Sequence, residues 1–362
     1  MGKLKILSYV VAALAVFLGQ RIYRLRNVSL ATRELIQNHL PNCQVLKGLD
    51  YGSEDIAILP NGLALISSGL KYPGMPRYSD DPGKIFILDL FDSKLKPVEL
   101  RISRGFDLDS FNPHGISVYL DDADGTVHLF VVNHVQHPNY HQSQVEIFKF
   151  IEDEKALEHV KTIKHELLHS VNDIVAVGVE SFYATNDEYF THLIMRMISP
   201  LFSFAWSDVV FYSPEEVKVV AEGFYSANGI NISPDKKYIY VADVVDHKVH
   251  VLKTNDNINL VPVKAVDVGS LVDNIDVDPD TGDLWLGCHP NGWKLFKNDP
   301  QDPPGSEILK IENILSEQPT VKQVYADDGS VLIGSTIAAR YEEKLLIGTI
   351  YHKTLCCDVE AV

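Results

Sequence analysis

Positive charge is what this chain lacks most. Its 362 residues carry 32 lysines and arginines against 49 aspartates and glutamates, a formal net charge of −17. A surface that acidic repels phosphate, so nucleic acid is excluded as a partner. Cysteine is scarce as well, with four residues, enough for a disulfide in an oxidising compartment. A clean signal-peptidase site is also missing. The chain opens "MGKLKILSYVVAALAVFLGQ", with Lys3 and Lys5 before an apolar run from Ile6 to Leu18, yet no small-x-small pattern follows and Arg21, Arg24 and Arg26 flank the run. The run is short for a full span. Residues 1–26 therefore read as a retained signal or anchor lying at the membrane, and residues 27–362 as one domain. Asn27 opens a sequon available for glycosylation if lumenal, whereas the sequon at Asn231 falls inside an expected inner strand.

The calcium loop of an EF-hand is absent too, although "LVDNIDVDPDTGDLWLGCHPNG" (271–292) is crowded with acid. Counted from Asp276, the sixth and twelfth loop positions hold Thr281 and Gly287, where Gly and Glu are required. What stands there is a strand, a turn and a second strand. The same phrase recurs six times, beginning at Glu54, Pro113, Asn172, Asn228, Asp273 and Ser335. Successive copies start 45 to 62 residues apart, near the length of a four-stranded propeller blade with generous loops. The expected fold is all-β, a six-bladed β-propeller.

In a propeller the innermost strand of every blade lines a central channel, so polar groups at equivalent strand starts meet at one mouth. Glu54, Asn172, Asn228, Asp273 and Asn274 would meet there, with His114 from the second blade. Five side-chain oxygens and no sulfur suit calcium and not zinc. Cys43 precedes the first blade, while Cys356 and Cys357 follow the last, so a bridge between either one and Cys43 would close the ring. Cys288 is left as a buried thiol.

The stretches "GSEDIAILPNGLA", "FNPHGIS", "VVNH", "NDIVAVG", "FYATND", "ANGINISPD", "LVDNI" and "GDLWLGCHPNG" resemble the vertebrate paraoxonase/lactonase family over essentially the whole chain. "VELRISRGFDL" is similar to the intracellular, membrane-associated lactonase branch. The resemblance implies a six-bladed propeller with two calcium ions that hydrolyses lactones, with aryl esters and some organophosphate triesters as side substrates. It implies a catalytic calcium on Glu54, Asn172, Asn228, Asp273 and Asn274. A structural calcium would lie on Asp55, Asp173 and the backbone oxygen of Ile116, and Cys43 would pair with Cys357. His114 and His134 would be the catalytic dyad that deprotonates water, with Asp273 the competing base or nucleophile.

Three departures bear on substrate preference. The loop after His134 reads "VQHPNYHQSQ", longer than the family pattern; Glu188 stands where a histidine is usual, and Tyr225 where an acid is usual. The apolar segment from Phe190 to Trp206 resembles the family's active-site lid, which with the N-terminal segment would meet a membrane or lipoprotein surface. The expected partners are a small lipophilic lactone or ester and that surface, in the secretory pathway, membrane-associated or secreted; a homo-oligomer is left open. The competing functional class is a propeller locked by calcium that serves as a non-enzymatic scaffold.

Overall fold

The structure is a computed structural model that describes residues 2–26, 31, 35–72, 75, 79–135, 143–189, 194–195, 199, 204–255 and 258–360. Six antiparallel sheets follow one another along the chain; the second gains a short parallel edge strand, Arg101–Ile102. Their innermost strands are Ile56–Ile58, Pro113–Leu120, Val171–Gly178, Ala227–Ile232, Leu271–Val277 and Ser335–Tyr341. Each lies against the next, and the last lies against the first. The six repeated phrases open these six strands, so the expected propeller is the observed one.

Sheets stacked this way bury both faces, and there are six hydrophobic clusters for six blade junctions. The cluster of Tyr240, Val249, Val272 and Leu284 joins blades 4 and 5; that of Leu65, Ile85, Leu129 and Phe148 joins blades 1 and 2. Apolar burial of this extent is the main favourable term in folding.

The ring is closed by the two ends of the chain. Gln44–Val45 supplies the outer strand of the sixth blade and pairs antiparallel with Leu355–Asp358, setting Gln44 opposite Cys356. One step along that ladder, Cys43 and Cys357 form a disulfide across 314 residues of chain. Strand alternation settles the choice between neighbouring cysteines: Cys357 packs on the side of Cys43 and Leu355, and Cys356 faces the opposite cluster with Leu46 and Ile66. On the loop-entropy account, a bridge this long constrains the unfolded chain by roughly 6 kcal/mol.

Side chains on the inner strands also stitch each blade to the next. Asp55 accepts from the Ile116 amide at 2.7 Å, Ser117 from Ala176 at 3.0 Å, Asp173 from Ile230 at 2.8 Å and Asp276 from Arg340 at 3.1 Å. Asn231 donates to the Ile275 carbonyl at 2.8 Å, and Thr336 donates to the Glu54 carbonyl at 2.7 Å. All six junctions are crossed. Asn231 is thereby committed, its amide in the channel wall, and its sequon is no surface site.

The acid-rich hairpin is part of the same scheme. Asp278 accepts from the amides of Asp280 and Thr281 in a tight turn and pairs with the Arg340 guanidinium, while Asp283 pairs with Lys310 at 2.8 Å. These acids serve the turn and the blade junction.

At the N-terminus the chain forms one helix, Gly2–Arg24, ending on Arg21 and Arg24. Its Lys5–Arg24 stretch has a mean hydropathy of 1.6 over a membrane-spanning length, and none of it is buried. The helix is longer than the apolar run alone implied, because Gln20 to Arg24 continue it. The Arg24 guanidinium lies 5.0 Å from the centre of the Tyr225 ring, three residues before Asn228. Asn27 and most of the Phe190–Trp206 segment lie outside the described residues.

Candidate active site

Five of the six inner strands break register at the same place: between Pro113 and Ile116, Val171 and Ile174, Ala227 and Ile230, Val272 and Ile275, and Ser335 and Ile337. A bulge leaves consecutive residues unpaired from the ladder and re-aims them. The polar pairs occupy these bulges: His114–Gly115, Asn172–Asp173, Asn228–Gly229 and Asp273–Asn274. Glycine is required in two of them. A Cβ on Gly115 would lie 2.4 Å from Asp173 Oδ1, and one on Gly229 would lie 2.5 Å from the Asp273 carbonyl. The acids and amides of the following blade fill that space.

Glu54, His114, Asn172, Asn228 and both members of the Asp273–Asn274 pair meet at one mouth of the channel, the upper one below. Glu54 Oε1 accepts from Asn274 Nδ2 at 2.8 Å and lies 3.4 Å from His114 Nε2. Asn172 Nδ2 donates to Asp187 at 3.4 Å. With their amide nitrogens engaged, Asn172 and Asn274 present their oxygens to the channel. Glu54 Oε2, Asn172 Oδ1, Asn228 Oδ1 and Asn274 Oδ1 are all buried without a hydrogen-bond partner. A buried oxygen left so costs about 1–3 kcal/mol, and four together fit a hard cation. Asp273, the fifth expected ligand, is held by His289 Nε2 at 2.7 Å.

The expected histidine pair is formed. His114 Nδ1 and His134 Nε2 are 2.8 Å apart, both rings are buried, and Ser143 Oγ lies 3.3 Å from the far nitrogen of His134. Burial works to lower the His114 pKa, but the negative charges of Glu54, Asp187 and Asp273 outweigh it and raise it above the ordinary imidazole value. Tyr72 sets its ring edge to both imidazoles and donates its hydroxyl to Asp187 at 2.6 Å.

The second members of the pairs in blades 1 and 3 face the other way. Asp55 and Asp173 are buried beneath Glu54 and Asn172 and line a cavity of about 290 Å³ that opens at the lower end of the channel, with Ile116 in its wall. Burial and then the charge of Glu54 push Asp55 up to about 8, and burial and then Asp55 raise Asp173 well above the carboxylate range. Two carboxyls in such a place carry their charge readily only beside a cation, so the donor set fits the expected structural ion.

Asp187, His289, Tyr72 and Ser143 join the site without having been assigned to it from sequence. A signal for two of them was present: like His134, Asp187 and His289 sit at or just past the exits of second strands, those of blades 3 and 5, and exits converge as starts do. Tyr72 reaches the site from an irregular loop, which has no period to read.

A propeller with an oxygen-lined channel mouth and a buried histidine pair beside it defines a class of site that offers oxygen donors to a cation and an imidazole to a proton. The chain belongs to the arylesterase family, whose model matches residues 34–359. It is 57% identical over 360 residues to serum paraoxonase/arylesterase 2 of Gallus gallus, covering 99% of this chain and 100% of that protein. To the Homo sapiens protein of that name it is 56% identical over the same coverage, and to serum paraoxonase/lactonase 3 of Oryctolagus cuniculus 54% over 99% of each. Among solved structures, a luciferin-regenerating enzyme superposes with a TM-score of 0.54 at 11% identity, covering 89% of this chain and 96% of that one. A gluconolactonase from Xanthomonas campestris gives 0.53 at 12% identity, covering 92% and 97%. At such identities these two speak for the fold alone.

Proposed function

We propose that this protein hydrolyses lactones and aryl esters, with organophosphate triesters as side substrates, and that it does so with one calcium at the upper mouth and a second below it. Glu54, Asn172, Asn228, Asp273 and Asn274 would hold the first; Asp55, Asp173 and the Ile116 carbonyl would hold the second. The observation that carries the reading is the set of four partnerless buried oxygens beside a hydrogen-bonded histidine pair. A calcium bound there supplies the positive charge that polarises an ester carbonyl.

The chain's own groups do the rest. His114 accepts a proton from the attacking water at Nε2, and its Nδ1 proton moves toward His134 across 2.8 Å. His289 keeps the Asp273 carboxylate oriented. Tyr72, bonded to Asp187, packs against the edge of the pair and limits water around it. The names borne by the relatives above point to the same chemistry.

The unburied helix Lys5–Arg24 supports membrane attachment, and the Cys43–Cys357 bridge supports a lumenal or extracellular setting for the propeller. Exposed Tyr189, Phe204 and Trp206, with Phe204 stacked on Trp206 at 4.2 Å, add apolar surface for the same lipid face or for a lipophilic substrate.

The test is turnover of a lactone and of phenyl acetate in chelator and after calcium is restored. Activity should vanish and return. Full turnover in a protein shown to be free of calcium would defeat the reading, and a protein that binds calcium but turns over no ester would leave the scaffold class standing.

A further inference from the structure

Blades 2, 3 and 5 begin their third strands with a serine: Ser143, Ser207 and Ser306. Each hydroxyl accepts a backbone amide from the start of the next blade's inner strand, Val171 at 2.9 Å, Ala227 at 2.7 Å and Ser335 at 3.1 Å. In blades 3 and 5 the hydroxyl proton then goes to a backbone carbonyl, of Asn186 at 2.6 Å and of Leu332 at 3.0 Å. Blade 2 differs. There the same hydroxyl faces an imidazole, 3.3 Å from His134 Nδ1, because His134 stands directly opposite Ser143 on the ladder.

We propose that Ser143 is a positioning residue that sets the tautomer of the histidine pair. This rests on the reading of His114 as the base. For His114 Nε2 to take a proton, its own proton must sit on Nδ1 and point at His134 Nε2; His134 must then carry its proton on Nδ1. The Ser143 oxygen, fixed by the Val171 amide, is where that proton is accepted. If the serine is removed, His134 can hold its proton on Nε2 instead. The bond between the rings then reverses, the His114 proton moves to Nε2, and the base is blocked without any change in substrate binding.

Four variants and one spectrum test this on the intact, calcium-loaded protein. Ser143→Ala should lower kcat by about tenfold with KM within about twofold, and Ser143→Thr, which keeps the hydroxyl, should recover to within about threefold of the parent. Ser306→Ala removes the equivalent amide contact in blade 5 and should lower the melting temperature about as much as Ser143→Ala does, with kcat unchanged. Nitrogen NMR of ring-labelled histidines should show His134 protonated at Nδ1 in the parent and at Nε2 in Ser143→Ala. An unprotonated Nδ1 in the parent, or a kcat in Ser143→Ala within about twofold of normal, overturns the proposal. The parent spectrum decides the matter even if Ser143→Ala fails to fold. His114→Gln separates the two levels: if it is inactive while Ser143→Ala is normal, only the serine's role falls, and if it is fully active, the base assignment falls with it.

Discussion

The two ends of the channel are lined by neighbouring residues of the same kinds, and they behave in opposite ways. At the upper mouth Glu54, Asn172, Asn228 and Asn274 keep oxygens that no protein donor satisfies. At the lower end, one residue further along two of the same strands, both oxygens of Asp55 and of Asp173 accept backbone amides, one from their own strand and one from the next blade. Below, both carboxylate oxygens are committed to holding the chain together, whereas above, Glu54 and the three asparagines each keep one oxygen open. In blades 1 and 3 consecutive residues, Glu54–Asp55 and Asn172–Asp173, go to different levels of one channel, and that separates the roles.

The sharpest way to break this contrast is Asp273→Ala. It removes one of two carboxylates from the upper set and should abolish lactone turnover and weaken calcium binding measured by calorimetry. Survival of activity with unchanged affinity would show that the upper oxygens are not the ligands. His114→Gln comes next, with turnover expected to fall by roughly 10²- to 10⁴-fold while calcium affinity holds, since a base moves protons and does not coordinate. A near-normal rate would shift the role of base to Asp273.

A lower-end change should act on stability first. Asp173→Ala strands the amides of Ile174 and Ile230 and should cost about 2–5 kcal/mol in denaturant unfolding of the calcium-free protein. A cost under about 0.5 kcal/mol would mean the stitch carries nothing. The last effect concerns pH. Without calcium, Asp55 sits near 8 in the folded chain against 3.8 for an ordinary aspartic acid, so the unfolded chain gives up its proton first and stability is lost as pH rises from about 4 toward 8. Melting temperatures in chelator should decline across that range and the decline should disappear in saturating calcium; a flat profile in chelator would remove the argument.

Much of this site was legible because repetition reports placement. Asn172, Asn228 and Asp273 open copies of one phrase, and a propeller brings such openings to one axis whatever the loops between them do. His134 came from the family resemblance, but it stands at the exit of a second strand, and a search of such exits would have found Asp187 and His289 as well. Tyr72 and Ser143 were out of reach. Tyr72 lies in a loop without period, and Ser143 is like any strand-edge serine until its partner turns out to be an imidazole.

Period, spacing and residue chemistry are properties of the chain, and they were enough for the class of fold, the closing of the ring by its two ends and the oxygen-rich, sulfur-free character of the channel mouth. Which of those oxygens are free was settled by folding alone. Simple strand alternation places Asp273 and Asn274 on opposite faces, and nothing local marks Asn274 as open and Asn231 as tied to the Ile275 carbonyl. That difference arises where a bulge turns one residue upward and the next blade's backbone meets the other, and a contact between blades exists only once all six have closed.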